Sequence, residues 1–239
     1  MNTILLKLSG EFFLGQPGKH ANANNVCMNI TFINTIIQQI KQLIKTHRIN
    51  IVIGGGNFFR GLKEGKALGL EQETADTVGM LATVMNGIML RNLFEQAGIT
   101  CIVLSSYEIH GIVSQVSHTL IKQSQEQHAV IIFVGGTGNP YFSTDTASII
   151  RALQTQSSEV WKASTVNAVY DADPALNAHA KPLKKITYAD VLSQSLKVMD
   201  LTAITMAKEH NIKLRVFSIF EPNALLQVAQ NADFGSTIQ

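Results

Sequence analysis

Ile51-Val52-Ile53-Gly54-Gly55-Gly56-Asn57-Phe58-Phe59-Arg60-Gly61 decides how the chain is read. Three β-branched residues make a short buried strand, and three consecutive glycines stop it. Consecutive glycines let backbone approach a ligand closely and turn N–H groups inward as an anion nest, and a following helix start adds its positive end. Arg60, six residues past the first glycine, is placed to clamp a phosphate from the side. The stretch is not a P-loop, because no G-x-x-x-x-G-K-[ST] occurs, and G-x-G-x-x-G fails because Phe59 stands where its last glycine belongs.

Outward from this stretch, three more polar motifs stand at the ends of apolar runs: Lys7-Leu8-Ser9-Gly10, Thr137 to Asp145, and Lys162-Ala163-Ser164. Residues 3–8, 100–104, 129–134, Glu159–Lys162 and Leu214–Ser218 read as further strands. Helical spacing marks 29–46, 78–96, 146–155, 187–194 and 200–209, and Pro222 opens a last helix at its first turn. Strands alternating with helices predict a three-layer α/β/α fold with a mostly parallel open sheet, in one subunit of two lobes that divide near residue 155. The least structured stretches are Gly15–Asn25 and 171–185. In such sheets ligands bind outside the carboxyl ends of the strands, where these motifs fall.

The chain of 239 residues, 46% hydrophobic and 15% charged, is apolar enough to bury a large core and too apolar for disorder. A net charge of +2 without a basic run argues against nucleic acid as the main partner. Cys27 and Cys101 form no C-x-x-C pair and read as reduced, buried thiols. No apolar run reaches the ~20 residues of a membrane span, and no signal sequence is visible, so a cytoplasmic protein is expected. The seven histidines show no metal-ligand spacing and read as surface or loop residues, and no protein metal site is expected.

Lys7 interrupts an apolar strand, so its amine must reach water or an anion. The plain reading is a snorkelling lysine on an edge strand; the other is a fixed cation for a phosphoryl group. Lys162 ends a second apolar run in the same way. Asp76 reads as an N-cap of the helix at 78–96 or as an acceptor of ribose hydroxyls. Asp145 reads as the cap of the next helix, or as the carboxylate that orients Lys7 and Lys162. Asp200 begins a helix and reads first as its cap. The helix at 79–96 is apolar over a wide arc, either a core helix or a subunit interface. The loop Thr137, Gly138, Asn139, Pro140, Tyr141, Phe142, Ser143, Thr144 mixes small donors with ring faces and suits a nucleoside phosphate better than a bare anion.

With these motifs assembled, the chain resembles the amino-acid kinase family, and within it the bacterial UMP kinases. The resemblance is carried by Lys7–Glu11, Ile53–Gly61, Gly79–Gly87, Gly136–Phe142 and Lys197–Leu201, and it runs over nearly the whole length. It implies transfer of a phosphoryl group from ATP, with Mg²⁺, to UMP, by an acceptor lobe at about 1–155 and an ATP lobe at about 156–239, in a homohexamer. ATP would contact Lys7, Leu8, Ser9, Gly10, Gly56, Arg60, Ser164, Tyr170 and Asp173. UMP would contact Gly55, Asp76 and the 137–144 loop. Lys7 and Arg60 would hold the moving group, with Lys162 as a further catalytic cation and Asp145 and Asp200 organising the cations and Mg²⁺. The family pattern K-A-T-K-V-D-G-V-Y/F reads here Lys162-Ala-Ser-Thr-Val-Asn-Ala-Val-Tyr170. Ala168 would be strained if its place required positive φ. The segment Gly15–Asn25 replaces a glycine-rich stretch tied in the family to GTP activation.

Overall fold

The alternating runs resolve, in a computed structural model, into three layers. The structure describes residues 1–15, 28–172, 174, 176–177 and 179–239, and for residues 62 and 63 the backbone alone. The chain runs β1 (Asn2–Leu8), a 3₁₀ turn (Gly10–Leu14), α1 (Ile30–Leu43), β2 (His47–Ile53), α2 (Gly61–Ala67), α3 (Gln72–Gln96), β3 (Cys101–Ser105) and β4 (Ser114–Gln115). It continues through α4 (His118–Glu126), β5 (Val130–Val134), α5 (Thr144–Gln154), β6 (Glu159–Ser164), β7 (Val169–Tyr170), β8 (Pro182–Leu183) and β9 (Lys185–Ile186). It ends with α6 (Tyr188–Ser193), α7 (Leu201–Glu209), β10 (Lys213–Ser218), α8 (Ala224–Gln230) and β11 (Ser236–Ile238).

Among the described residues, nine strands form one sheet in the order β4-β3-β5-β2-β1-β6-β10-β11-β9. Only the β10–β11 pair is antiparallel. From β1 the chain builds to one side through β2, β3 and β4, with β5 returning between β3 and β2, then crosses back to β6 and β10 on the other side. The direction of building reverses between β1 and β6, and a crevice opens outside the strand ends at such a switch point.

Period-two alternation divides β1 between two cores. Ile4, Leu6 and Leu8 pack with Ile33, Ile36, Ile37 and Ile40 of α1, while Leu5 packs with Ala147, Ile149 and Ala152 of α5. Lys7 therefore falls on the α5 face. Burying an aliphatic side chain of this size contributes about 1.5–3 kcal/mol. Four of them, each at most 2% exposed, anchor β1 in the middle of the sheet with a lysine in it. The edge-strand reading of Lys7 is thereby corrected.

Several boundaries differ from the sequence reading. β2 starts at His47, so this histidine is a strand residue, its ring 6.1 Å from that of Trp161. α3 starts at Gln72, with Glu71 in the capping position, so Asp76 lies inside the helix and is not its cap. Pro222 precedes α8 by two residues. The 3₁₀ turn, α4 and the short strands β4, β7, β8, β9 and β11 were not expected. Cys101 is half-buried and free, its thiol pushed up to about 11 chiefly by burial. Cys27 and residues 16–25 lie outside the described residues. No helix among the described residues is long and apolar enough to cross a membrane.

Candidate active site

The carboxyl ends of β1 and β6 bring Lys7 and Lys162 side by side as register partners. α5 crosses the same face and sets the Asp145 carboxylate between them. Lys7 Nζ is 2.7 Å from Asp145 Oδ1, and Lys162 Nζ is 2.7 Å from Asp145 Oδ2. Lys162 Nζ also donates to the carbonyl of Val198. Burial pushes the Asp145 carboxyl up, but the two ammonium groups outweigh it and hold the group below the usual carboxylate range. Burial and the neighbouring Lys7 charge depress the Lys162 amine, and Asp145 and Asp200 restore only part of it. An ammonium carries three donors. Among the described residues Lys7 makes one ion pair, with Asp145, and the amine borders a cleft.

The cap of α5 is Ser143 rather than Asp145: its Oγ accepts from the N–H groups of Asp145 and Thr146 at 2.9 and 3.3 Å. Ser143 Oγ then donates to the carboxylate of Asp200. Asp200 is itself the cap of α7, accepting from Ala203 N and Thr146 Oγ1 at 2.9 Å each. The N-termini of α5 and α7 thus meet at one carboxylate, as helix N-termini favour.

The glycine loops act by close packing. None of Gly10, Gly54, Gly55 and Gly56 has positive φ, so the expected nest of left-handed residues is not formed. A Cβ on Gly10 would lie 2.1 Å from Gly56 N, and one on Gly55 would lie 2.7 Å from Gly79 O. These positions exclude side chains because two loops and α3 press backbone against backbone. The next helix, α2, starts only at Gly61, so no helix end follows the glycines directly.

Lys7, Ser9, Gly10, Gly55, Gly56, Arg60, Thr144, Lys162 and Ser164 line one cleft of about 350 Å³. A second cleft of about 440 Å³ shares Lys162 and Ser164 with it and is walled by Ala168, Tyr170 and Leu196. Leu8 lines neither cleft: its side chain is in the core, and its carbonyl accepts from Gly54 N at 2.9 Å. Asp173 lies outside the described residues. Arg60 reaches over the first cleft but is engaged by Glu11 at 2.7 Å, a pair nearly half exposed on both sides. Ala168 is buried without positive φ, so the expected strain is absent. Thr165 lines the first cleft, and Asn167 is exposed.

The loop from Thr137 to Phe142 stands beside this cleft rather than lining it. Asp76 is tied to it: Oδ2 accepts from Tyr141 N at 2.8 Å. Tyr141 has φ +70° and is 67% exposed, so the carboxylate of α3 holds a left-handed, outward residue in place. The rest of the loop is held by Thr137 Oγ1, which bonds Asn139 N and O at 3.1 Å.

The sequence reading missed the buried polar groups that hold the loops. On α3, Thr83 and Asn86 stand three residues apart on one buried face. Thr83 Oγ1 accepts from Gly135 N at 2.6 Å, and Asn86 Nδ2 donates to Gly54 O at 2.8 Å. Asn86 also exchanges side-chain bonds with Asn57 at 2.7 and 2.9 Å. Their signal was two polar residues on the core side of an apolar helix.

Comparison with known proteins follows the same outline. Residues 2–218 match the model of the amino acid kinase family. A uridylate kinase of Haemophilus influenzae (strain 86-028NP) is 39% identical over 236 residues, covering 98% of this chain and 96% of that protein. One from Magnetococcus marinus is also 39% identical, over 237 residues, covering 99% and 95%. Among solved structures, UMP kinase from Ureaplasma parvum superposes with a TM-score of 0.92 at 36% identity, covering 100% of this chain and 98% of that one. UMP kinase from Bacillus anthracis gives 0.91 at 28% identity, covering 100% and 96%. The lysine pair at the switch point, the glycine loops packed against it and these full-length matches lead to one conclusion: the chain belongs to the amino acid kinase family.

Proposed function

We propose that the protein transfers the γ-phosphoryl group of ATP to UMP, giving ADP and UDP, as a cytoplasmic enzyme of pyrimidine nucleotide synthesis. The observation that carries this is the Lys7–Asp145–Lys162 bridge at two clefts that share Lys162, in a chain similar to uridylate kinases over nearly its full length. ATP lies in the larger cleft by Ser164 and Tyr170, with its phosphates reaching Ser9, Gly10 and Gly56. UMP lies on the Gly55 side, with its ribose toward Asp76 and the 137–144 loop beside it, and Lys7 and Arg60 hold the moving phosphoryl group. Residues up to about 155 serve the acceptor and the remainder serve ATP.

Phosphoryl transfer asks little covalent chemistry of a protein, so positioning and charge neutralisation supply the acceleration. Lys7 and Lys162 meet the charge that spreads over the equatorial oxygens. Asp145 holds both amines at fixed separation, and no covalent enzyme intermediate is needed. Among the described residues no cluster of three acidic, histidine or cysteine side chains forms a metal cage. Mg²⁺ is held mainly by phosphates and waters with one or two carboxylates beside it, a part that Asp200, next to the lysine-bound Asp145, would play. When bound, the ion would supply positive charge against the phosphates.

Self-association fits the outer face of α3, where Val78, Leu81 and Met85 are 37%, 46% and 46% exposed at three- and four-residue spacing. A homo-oligomer, a hexamer by resemblance, would cover that stripe. The functional test is ADP release coupled to UMP, CMP, dCMP, acetylglutamate, aspartate and carbamate. Turnover that prefers UMP supports the proposal. Turnover with a small acid instead, or with none of the six, overturns it.

A further inference from the structure

Arg151, on α5, is 5% exposed and makes no ion pair among the described residues. Its guanidinium lies over the Phe133 ring, 5.4 Å from the centroid. Nη1 donates to Gln154 Oε1 at 2.6 Å, and Nη2 donates to Ser106 Oγ at 2.7 Å, while Nε has no partner. Burial alone depresses its pKa to about 10. A buried cation without a counter-charge is costly, and as a fold element an apolar side chain would serve better.

The chain of bonds does not stop at Ser106. Ser106 Oγ donates onward to the carbonyl of Gly136 at 2.7 Å. Gly135, Gly136 and Gly138 all have positive φ, at 75°, 56° and 85°. Gly135 and Gly138 pack on the ledge after β3, where an added Cβ would lie 2.8 Å from Ser105 Oγ and 3.1 Å from Ser106 Cβ. A peptide unit is planar and trans, so its C=O and N–H point in opposite directions. Fixing the Gly136 carbonyl on Ser106 therefore aims the Thr137 N–H away from the ledge. A hydrogen bond polarised by a cation is stronger and shorter than a neutral one.

We propose that Arg151 is a positioning residue for the acceptor nucleotide: acting through Ser106, it fixes the Gly136–Thr137 peptide so that its N–H faces the bound monophosphate. The inference rests on the reading of the 137–144 loop as the UMP site. Arg151 touches neither substrate; its charge is kept because it orders a glycine-rich loop that its own φ angles leave free.

The test is steady-state kinetics of R151M, R151K and S106A, with thermal midpoints measured alongside. R151M and S106A should raise the KM for UMP about tenfold while the KM for ATP stays within about twofold. R151K should recover part of the loss. The midpoints of R151M and S106A should stay near wild type. Equal changes in both KM values, or wild-type KM for UMP in S106A and R151M, overturn the inference. If R151M fails to fold, S106A still decides. T137A with N139A tests the underlying site: unchanged KM for UMP there would refute the loop as the acceptor site, whatever Arg151 does.

Discussion

Lys7 and Lys162 are register partners on adjacent parallel strands, and the Asp145 carboxylate stands 2.7 Å from each amine. Two ammonium groups at neighbouring strand ends repel unless something lies between them. The group that lies between them comes from a third element, α5, whose own cap is locked to α7 through Asp200. The cations are therefore positioned by the packing of two helix ends on the sheet and not by the strands alone.

D145N should lose at least ~100-fold in turnover and about 3 kcal/mol of stability, because it leaves two nearly dry ammonium groups without their counter-charge. The sign with pH follows from the depressed carboxyl. The unfolded group titrates near ~3.9, so its contribution is fully present above that value and is lost as pH falls through the lower folded value. Thermal midpoints from pH 3 to 7 should show the gap between wild type and D145N constant near neutrality and closing in acid. A gap that widens in acid would contradict the ion-pair account.

Lys162 shares that direction with pH but is a cost to the fold where Asp145 is a gain. Its folded pKa is lowered, so between the folded and unfolded values the unfolded chain binds more protons and stability rises with pH. Below that window the charged amine is a net cost kept for function. K162M should hold or raise the thermal midpoint while turnover falls at least ~100-fold. A midpoint that drops as far as that of D145N would show the amine to be structural.

Gly10 and Gly56 should respond differently to a methyl group. G10A drives Cβ onto Gly56 N at 2.1 Å and should cost about 3 kcal/mol. At Gly56 the nearest heavy atom to an added Cβ is the flexible Arg60 Cγ at 3.7 Å, and G56A should stay within about 0.5 kcal/mol of wild type. Chemical denaturation of both variants checks this, and equal losses would mean that the glycines serve chain flexibility instead of close approach.

Arg60 and Glu11 form an exposed pair, the kind that adds little to stability. R60A should leave the thermal midpoint unchanged yet lower turnover at least ~10-fold, by removing a charge-assisted phosphate contact. Wild-type rates in R60A would remove the side chain from the site.

The layers and the central strands were legible because their signals are local. A branched run before a glycine cluster marks β2, and the spacing of Ile33, Ile36, Ile37 and Ile40 marks α1. The lysines at 7 and 162 were visible as charges in apolar strands, though not that their strands adjoin in register, which is a property of sheet order. The start of α3 was misplaced because its first turn, Gln72–Ala75, is polar and exposed except at Ala75 and so carries no apolar periodicity. Asp145 was read as the cap or as the carboxylate between the lysines, and the second reading holds; Ser143, read as part of a ligand loop, takes the cap, since either residue can cap and only geometry chooses. Ser106 and Arg151 were invisible, because a serine after a strand and an arginine late in a helix gain meaning only when the loop of another strand lands on them.

The central claim is that the bridged lysine pair serves phosphoryl transfer to a nucleoside monophosphate. The most direct measurement is UMP-dependent ADP release by the wild-type protein and by K7M, with ATP and Mg²⁺ at saturation. The account predicts release by wild type that depends on UMP and falls by at least ~100-fold in K7M, with the fold retained. ADP release independent of UMP, or a K7M rate near that of wild type, would contradict it.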